Sequence, residues 1–286
     1  MRENRSRLIG VDLGGSSAKA AVVVENKVAK RLSTPINARG SEAEVLESIF
    51  HLIDRLGTED VEGIGVGVPS VVDIQAGIIY DTVNIPAWKE VPLKQILRER
   101  FGIPAQIDND SNCFALGEKR FGKAQPYRNA ACVTLGTGMG TGLIIEDRLY
   151  SGANCGAGEF GMIPFRDEIV EYYASGQFFK NLYATTGEAV AKRAQAGDED
   201  AFRIFQEFGA NLGTALTFIL YAVDPEIIVL GGSISRSFPY FEPAMRRAMG
   251  NFVYRKTLER IKIEVSDNPD IALIGAAGLC KERPPA

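Results

Sequence analysis

The chain has 286 residues, 45% apolar and 24% charged, with a net charge of −4. Such a composition is globular rather than disordered, and the length suits one large domain or two modest ones, able to bury roughly 75% of the unfolded surface. The acidic balance argues against a nucleic-acid binder, the single histidine, His51, rules out a multi-histidine metal site, and the four cysteines, far apart and without Cys-x-x-Cys, argue against a disulfide framework or a cysteine-rich zinc site. The longest mostly apolar run, Leu212–Val223, is too short to span a bilayer, and Asp12 breaks the apolar run after the charged residues 1–7, so no secretory signal is read there. A cytoplasmic protein is expected, with no membrane and no nucleic acid as partner.

In chain order, Arg7–Leu13 and Ala18–Val24 read as strands around the turn Gly14-Gly15-Ser16-Ser17, and Asn26-Lys27 offers a second turn before Val28–Ser33. This is an antiparallel meander, not the opening unit of a dinucleotide-binding fold. A helix is expected over Ser41–Leu56, where Ser41 and Glu44 form a capping box and Gly57 stops it. Gly63–Val68 reads as a strand, Asp73–Trp88 as turn-rich, Val91–Phe101 as a helix and Pro104–Ile107 as a strand. The polar run Asp108–Asn112 opens a helix that continues to Arg120, and Gly122–Tyr127 is a plausible hinge. Ala130–Leu135 and Gly142–Ile145 again flank a glycine-rich turn. A long helix is expected from Asp198 to Val223, then strands at Glu226–Leu230 and Ile261–Ser266, a small-residue helix over Ile271–Cys280 and a tail at Pro284-Pro285.

The strand–turn–strand unit repeats. Val11-Asp12-Leu13-Gly14-Gly15-Ser16 lies over Val133-Thr134-Leu135-Gly136-Thr137-Gly138, which points to two related domains with a cleft between their turns. Turns rich in Gly, Ser and Thr expose successive backbone N–H groups and can bind phosphate; Gly14–Ser17 and Gly136–Gly142 both qualify. Neither is a P-loop or a dinucleotide fingerprint, because a strand follows each. Asp12, just before the first turn, is placed to hold Mg²⁺ through water. Lys19 reads either as a phosphate contact or as an edge residue.

Asp108-Asn109-Asp110-Ser111-Asn112 supplies more polar residues than a helix cap needs. Asp110 therefore reads either as a cap or as a base, since the helix dipole keeps a carboxylate there ionised. Gly156-Ala157-Gly158-Glu159-Phe160-Gly161 places Glu159 among glycines that allow a ligand to come close, and Glu171 follows before two tyrosines. With His51 on the polar face of its helix, a Cys155–His51 nucleophilic pair is not expected.

These motifs together resemble the ROK family of sugar kinases, in the actin-like/hexokinase ATPase superfamily, over nearly the whole chain. Asp12-Leu13-Gly14-Gly15-Ser16 with Lys19 is similar to the first phosphate motif, and Gly136-Thr137-Gly138-Met139-Gly140 to the second. Asn84-Ile85-Pro86-Ala87-Trp88 resembles the sugar loop, Asn109-Asp110-Ser111-Asn112 the helix start Asn-Asp-Ala-Asn, and Val229-Leu230-Gly231-Gly232-Ser233 the adenosine motif. The resemblance implies an α/β fold of duplicated actin-like ATPase (ribonuclease H-like) domains with a cleft between them. Residues 1–121 with 273–286 would form a smaller N-terminal domain and 122–272 a larger one, often within a homodimer. It implies ATP-dependent, Mg²⁺-assisted phosphorylation of a hexose at its 6-hydroxyl, with Asp110 as general base. Asn84, Asn109, Glu159 and Glu171 would bind sugar hydroxyls. Asp12, Gly14, Gly15, Ser16, Lys19, Gly136, Thr137 and Gly138 would border the ATP phosphates and metal, and Gly231 and Gly232 the adenosine.

Two departures stand out. Met162 occupies the place of the family's sugar-contacting histidine, and Ile163–Val170 is too short and lacks the cysteines of the family's zinc loop, although Glu171-Tyr172-Tyr173-Ala174-Ser175-Gly176 resumes the pattern. No zinc is expected. The family also contains repressors, but the first phosphate motif begins too early for an N-terminal helix-turn-helix to precede it. Alternatives to a hexose kinase are a non-catalytic sugar sensor on the same fold, a kinase for an N-acetylhexosamine, and a kinase using another phosphoryl donor such as polyphosphate.

Overall fold

The computed structural model describes residues 6–80, 82 and 84–283; residues 1–5 and the expected Pro284-Pro285 tail lie outside the described residues. The chain forms two compact units, Met1–Gln125 with Leu149–Ala157 and Asn268–Ala286, and Pro126–Arg148 with Gly158–Asp267. This partition differs from the expected one: the segment 149–157 joins the N-terminal unit, which is not the smaller of the two.

The N-terminal unit opens with the meander β1 (Arg7–Leu13), β2 (Ser17–Val24) and β3 (Lys27–Pro35), followed by α1 (Glu42–Leu56) and β4 (Val61–Val68). Three short strands, β5 (Val72–Asp73), β6 (Ile78–Tyr80) and β7 (Glu90–Val91), make a small separate sheet. Then come α2 (Leu93–Phe101), β8 (Ala105–Asn109) and α3 (Asp110–Phe121). The helix expected from Val91 starts later, because Val91 pairs in the small sheet and Pro92 takes the cap position. The main sheet has the order β3-β2-β1-β4-β8, antiparallel through the meander and parallel across β1, β4 and β8.

Alternation on β1 divides its side chains between two cores. Ile9, Val11 and Leu13 join Ala18, Ala20 and Val22 of β2 and the apolar stripe of α1, Val45, Ile49, Leu52 and Ile53. Both halves of the Ser41–Glu44 capping box are present at the start of α1. On the opposite face Leu8 and Val23 meet Ile274 and Ala277 of the last helix, Ile271–Glu282. That helix lies against backbone: a Cβ at Gly10 would strike the Leu273 carbonyl, and one at Gly65 the Ala276 carbonyl. The small-residue run of the last helix, with Gly275 against the Cys113 carbonyl, makes the same approach to α3.

The second unit repeats the plan. Its strands β9 (Ala130–Leu135) and β10 (Met139–Ile145) are antiparallel neighbours, and β11 (Arg148–Tyr150), of which only Arg148 belongs to this unit, lies at the sheet edge. A two-stranded hairpin, β12 (Pro164–Phe165) and β13 (Glu168–Ile169), leads to α4 (Val170–Ala174), α5 (Gly176–Tyr183), α6 (Gly187–Gln195) and α7 (Glu199–Val223). Next come β14 (Ile227–Gly231), α8 (Phe238–Met249), α9 (Arg255–Arg260) and β15 (Lys262–Val265). The sheet order is β11-β10-β9-β14-β15, with β9, β14 and β15 parallel, so each strand has a counterpart in the first unit's sheet. Asp198 caps α7 as expected, and Asp224 ends it in the left-handed conformation before Pro225. Phe178, Phe179, Phe205, Phe208 and Phe241, all fully buried, form the aromatic core between α5, α7 and α8. Among the described residues no helix is long and apolar enough to cross a membrane.

Because the last helix touches β4 through backbone, Gly65→Ala is expected to destabilise the protein by about 3 kcal/mol or more, the upper range of overpacking. Ser41→Ala, which removes one cap, should cost about 1 kcal/mol. Urea denaturation of both variants tests the order: a Gly65→Ala protein no less stable than Ser41→Ala would refute the contact.

Candidate active site

In the N-terminal unit the C-terminal ends of β1, β4 and β8 line up, with Asp12 opposite Gly67 and Gly67 opposite Asp108. The edge of a parallel sheet where strands give way to loops is the usual ligand side of such folds. The β1–β2 turn is closed by the Gly14 N–H donating to the Ser17 carbonyl at 2.9 Å, leaving Gly15 and Ser16 exposed. Register sets Lys19 across from Asp12, and their charged atoms lie 3.3 Å apart. A Cβ on Gly15 would sit 3.1 Å from the Cβ of Asn84, so a side chain there would crowd the exposed asparagine. Asn84 is held by its own loop. Ile85 and Trp88 are fully buried, and the Trp88 N–H donates to the Ile85 carbonyl at 2.9 Å.

The polar run at β8–α3 divides its tasks. Asp108 and Asn109 belong to the strand rather than to the helix start. Asn109 is the cap: its Oδ1 accepts from the N–H groups of Ser111 at 2.8 Å and Asn112 at 3.4 Å, and its Nδ2 donates to the Ser70 carbonyl at 3.4 Å. Asp110 is the first helical residue, half-buried, and accepts from the Ser111 N–H at 2.7 Å. Its backbone lies against Gly67 at the end of β4. Cys113, one turn further on, senses the charge collected here. Burial first, then Asp108, Asp110 and Asp12, drive its thiol well above the usual range, with Arg283 opposing. Cys155 is likewise buried, with its thiol pushed up to about 12 by burial and then by Asp108. A thiol of that kind is not a nucleophile at neutral pH.

In the second unit the glycine turn is shorter than expected, because Met139–Gly142 already belong to β10. The turn proper, Gly136–Gly138, is closed by the Gly136 N–H donating to the Gly138 carbonyl at 3.0 Å. It is clamped from the α4–α5 junction. The Gly176 N–H donates to the Gly136 carbonyl at 2.8 Å, and the Ser175 hydroxyl to the Thr137 carbonyl at 3.1 Å. Glu171 completes the clamp: its Oε2 accepts from the Met139 N–H at 2.9 Å and its Oε1 from Gln177 Nε2 at 2.6 Å. A Cβ on Gly138 would run into that carboxylate. The structure thus ties Glu171, expected among the sugar ligands, to the Gly136–Gly138 turn.

Glu159 precedes a short helical turn, Phe160–Met162. The residue is exposed, yet partial desolvation of its carboxyl and then the negative charge of Glu171 raise its pKa. Met162 is half exposed. The shortened segment folds as the β12–β13 hairpin, in which Tyr173 donates to Asp167 and the Arg166 guanidinium lies 4.9 Å from the Tyr173 ring centre. Gly231 ends β14, and Gly232 turns away at φ +87° directly over the Leu135 carbonyl at the end of β9.

Within the first unit the structure brings together Asp12, Gly14, Gly15, Ser16, Lys19, Asn84, Asn109 and Asp110. Within the second it brings Gly136, Thr137 and Gly138 to Glu171, with Glu159 near enough to feel its charge, and Gly232 to the end of β9. A glycine turn with Gly15 and Ser16 exposed beside a carboxylate–lysine pair fits a polyphosphate with its metal, for which Asp12 is the nearby carboxylate. Among the described residues no group of three or more His, Cys, Asp or Glu side chains could hold a metal unaided. Sequence reasoning missed Ser175, Gln177, Asp108 and Arg283, whose partners lie in other segments.

The raised Glu159 carboxyl gives a pH test. A raised acid pKa favours folding below its ordinary value, and that contribution is lost as pH rises through the folded value. Glu171→Gln removes one of the two causes, so the Glu159 pKa is expected to fall toward, but not reach, the ordinary value, because desolvation remains. Carboxyl ¹³C NMR titration measures it; an unchanged or higher pKa would show that Glu171 does not act on Glu159.

Over residues 8–283 the chain matches the ROK family. A glucokinase of Thermotoga maritima is 28% identical over 311 aligned residues, covering 97% of this chain and 98% of that protein. An N-acetyl-D-glucosamine kinase of Pasteurella multocida is 29% identical, covering 84% and 88%. Among solved structures, a ROK family glucokinase of Streptomyces griseus in complex with glucose and AMPPNP is similar with a TM-score of 0.85 at 26% identity, covering 97% of this chain and 100% of that one. The duplicated sheets are accordingly those of the actin-like ATPase fold, and the chain belongs to the ROK family.

Proposed function

We propose that this protein is a sugar kinase that transfers the γ-phosphoryl group of ATP to the 6-hydroxyl of a hexose. The observation that carries the reading is the placement of Asp110 at β8–α3: it is the half-buried first residue of the helix that Asn109 caps, with its backbone against Gly67 at the end of β4. Asn84 lies beside the first glycine turn, where a sugar hydroxyl and a phosphate would be neighbours.

In the proposed reaction the Asp110 carboxylate takes the proton from the sugar 6-hydroxyl. The hydroxyl oxygen forms a bond to the γ-phosphorus as the bond from that phosphorus to the β-bridging oxygen breaks, and ADP leaves. The helix dipole keeps Asp110 ionised until it takes the proton. Most of the catalysis is positioning and charge neutralisation. Gly14, Gly15, Ser16, Lys19, Gly136, Thr137 and Gly138 are the residues proposed to bind phosphates, and Gly231 and Gly232 those proposed to bind adenosine. Mg²⁺, held by Asp12 through water, would neutralise phosphate charge. Asn84, the second Nδ2 hydrogen of Asn109, Glu159 and Glu171 would bind sugar hydroxyls. A cytoplasmic homodimer belongs to the same reading.

ADP release with Mg²⁺-ATP, measured across hexoses and N-acetylhexosamines, tests the proposal. Asp110→Asn is expected to lower turnover by about 10²- to 10⁴-fold while sugar affinity, read by calorimetry, stays near the wild-type value. Sugar binding without turnover in the wild type would favour the sensor or another phosphoryl donor. Substantial activity in Asp110→Asn would remove Asp110 as base.

A further inference from the structure

Behind the Asn109–Asp110 corner lies a carboxylate that the proposed chemistry does not use. Asp108 is fully buried, and five groups donate to it. Its Oδ1 accepts from the Asn109 N–H at 2.7 Å, Asn112 Nδ2 at 2.8 Å and the Cys155 thiol at 3.3 Å. Its Oδ2 accepts from Arg283 Nη2 at 2.6 Å and the Ser151 hydroxyl at 3.4 Å. Arg283 is anchored in turn: its N–H donates to the Leu279 carbonyl at 3.0 Å, its carbonyl accepts from Gln106 Nε2, and its Nη2 reaches Ser151 at 3.5 Å.

We propose that Arg283 is a positioning residue for the Asp110 corner, acting through Asp108. The inference rests on the phosphoryl-transfer reading above. Arg283 is the one cation among these donors and holds Oδ2, while the other oxygen of the same carboxylate holds the Asn109 N–H. Without the guanidinium four donors remain, Oδ2 keeps only the Ser151 hydroxyl at 3.4 Å, and the plane of the buried carboxylate is no longer pinned from that side. The Asn109 N–H depends on Oδ1 of that carboxylate and moves with it. Asn109 in turn caps α3 and immediately precedes Asp110, so a shift there moves the proposed base. Asp108 and Arg283 make their hydrogen bonds with Asn109, Asn112, Cys155, Ser151, Leu279 and Gln106, so the effect is expected on turnover rather than on nucleotide affinity.

Steady-state kinetics of the full chain, with Mg²⁺-ATP and the sugar identified in the panel, test this well below the melting temperature. Arg283→Ala is expected to lower kcat about tenfold to a hundredfold with the KM for ATP within about twofold. Arg283→Lys, which keeps the charge, should recover most of the loss. Ile49→Ala, a cavity in the core under α1 on the other face of the sheet, is the stability control and should keep kcat within about twofold. If Arg283→Ala does not fold, Arg283→Gln carries the same expectation. A kcat within about twofold of wild type in the Ala or Gln variant, an equal loss in Ile49→Ala, or no recovery in Arg283→Lys overturns the inference. Absence of sugar-dependent turnover in the wild type overturns the kinase reading and this inference together, whereas an active wild type with a fully active Arg283→Ala overturns only this one.

Discussion

The last helix lies so close to the N-terminal sheet that Gly10 and Gly65 have no room for a Cβ. That backbone contact is the constraint on which the first unit depends. It brings a segment more than two hundred residues away in sequence into the core beside β1 and β4, and it sets the height of α3, which packs on the same helix through Gly117 and Gly275. Helix α3 carries Asn109 and Asp110 at its start. The position of the proposed base is therefore fixed from below, by how closely two helices and a sheet approach, before any polar contact is considered. Side chains of ordinary size would have spread these layers apart.

Two carboxylates two residues apart then meet opposite conditions. Asp108 points into the protein, fully buried and faced by a guanidinium and hydrogen-bond donors. Asp110 sits half-buried at a helix N-terminus, where the dipole favours its charge. Strand alternation sends one side chain inward, and the helix start releases the other. One short polar run thus yields a structural acid and a candidate base without any change of residue type.

Much of this was legible in the sequence because it is local. The Gly14 turn, the Ser41–Glu44 box, the cap at Asp198 and the repeated strand–turn–strand unit are all specified within a few residues, and each appears where expected. Polar runs were harder to resolve. Five consecutive polar residues showed that a cap and something more were present, but only the strand register assigned the cap to Asn109. Helices α5, α6 and α8 were not foreseen. The apolar residues of α5 and α8 become helix faces only against α7. Least legible were pairings across long separations. Nothing near Arg283 announces Asp108, and nothing near Gly138 announces Glu171.

On the proposed function, Glu171 would be shared by sugar and phosphate turn. One of its oxygens holds the Met139 N–H at the end of the glycine turn, and the other takes the Gln177 amide. A hydroxyl that draws on this carboxylate competes with the turn for the same lone pairs. Anything that reshapes the turn redistributes the carboxylate in return. Linkage is reciprocal by thermodynamic necessity. Acceptor and donor would then bind with an interaction energy between them, positive or negative, carried by a single side chain rather than by any large movement.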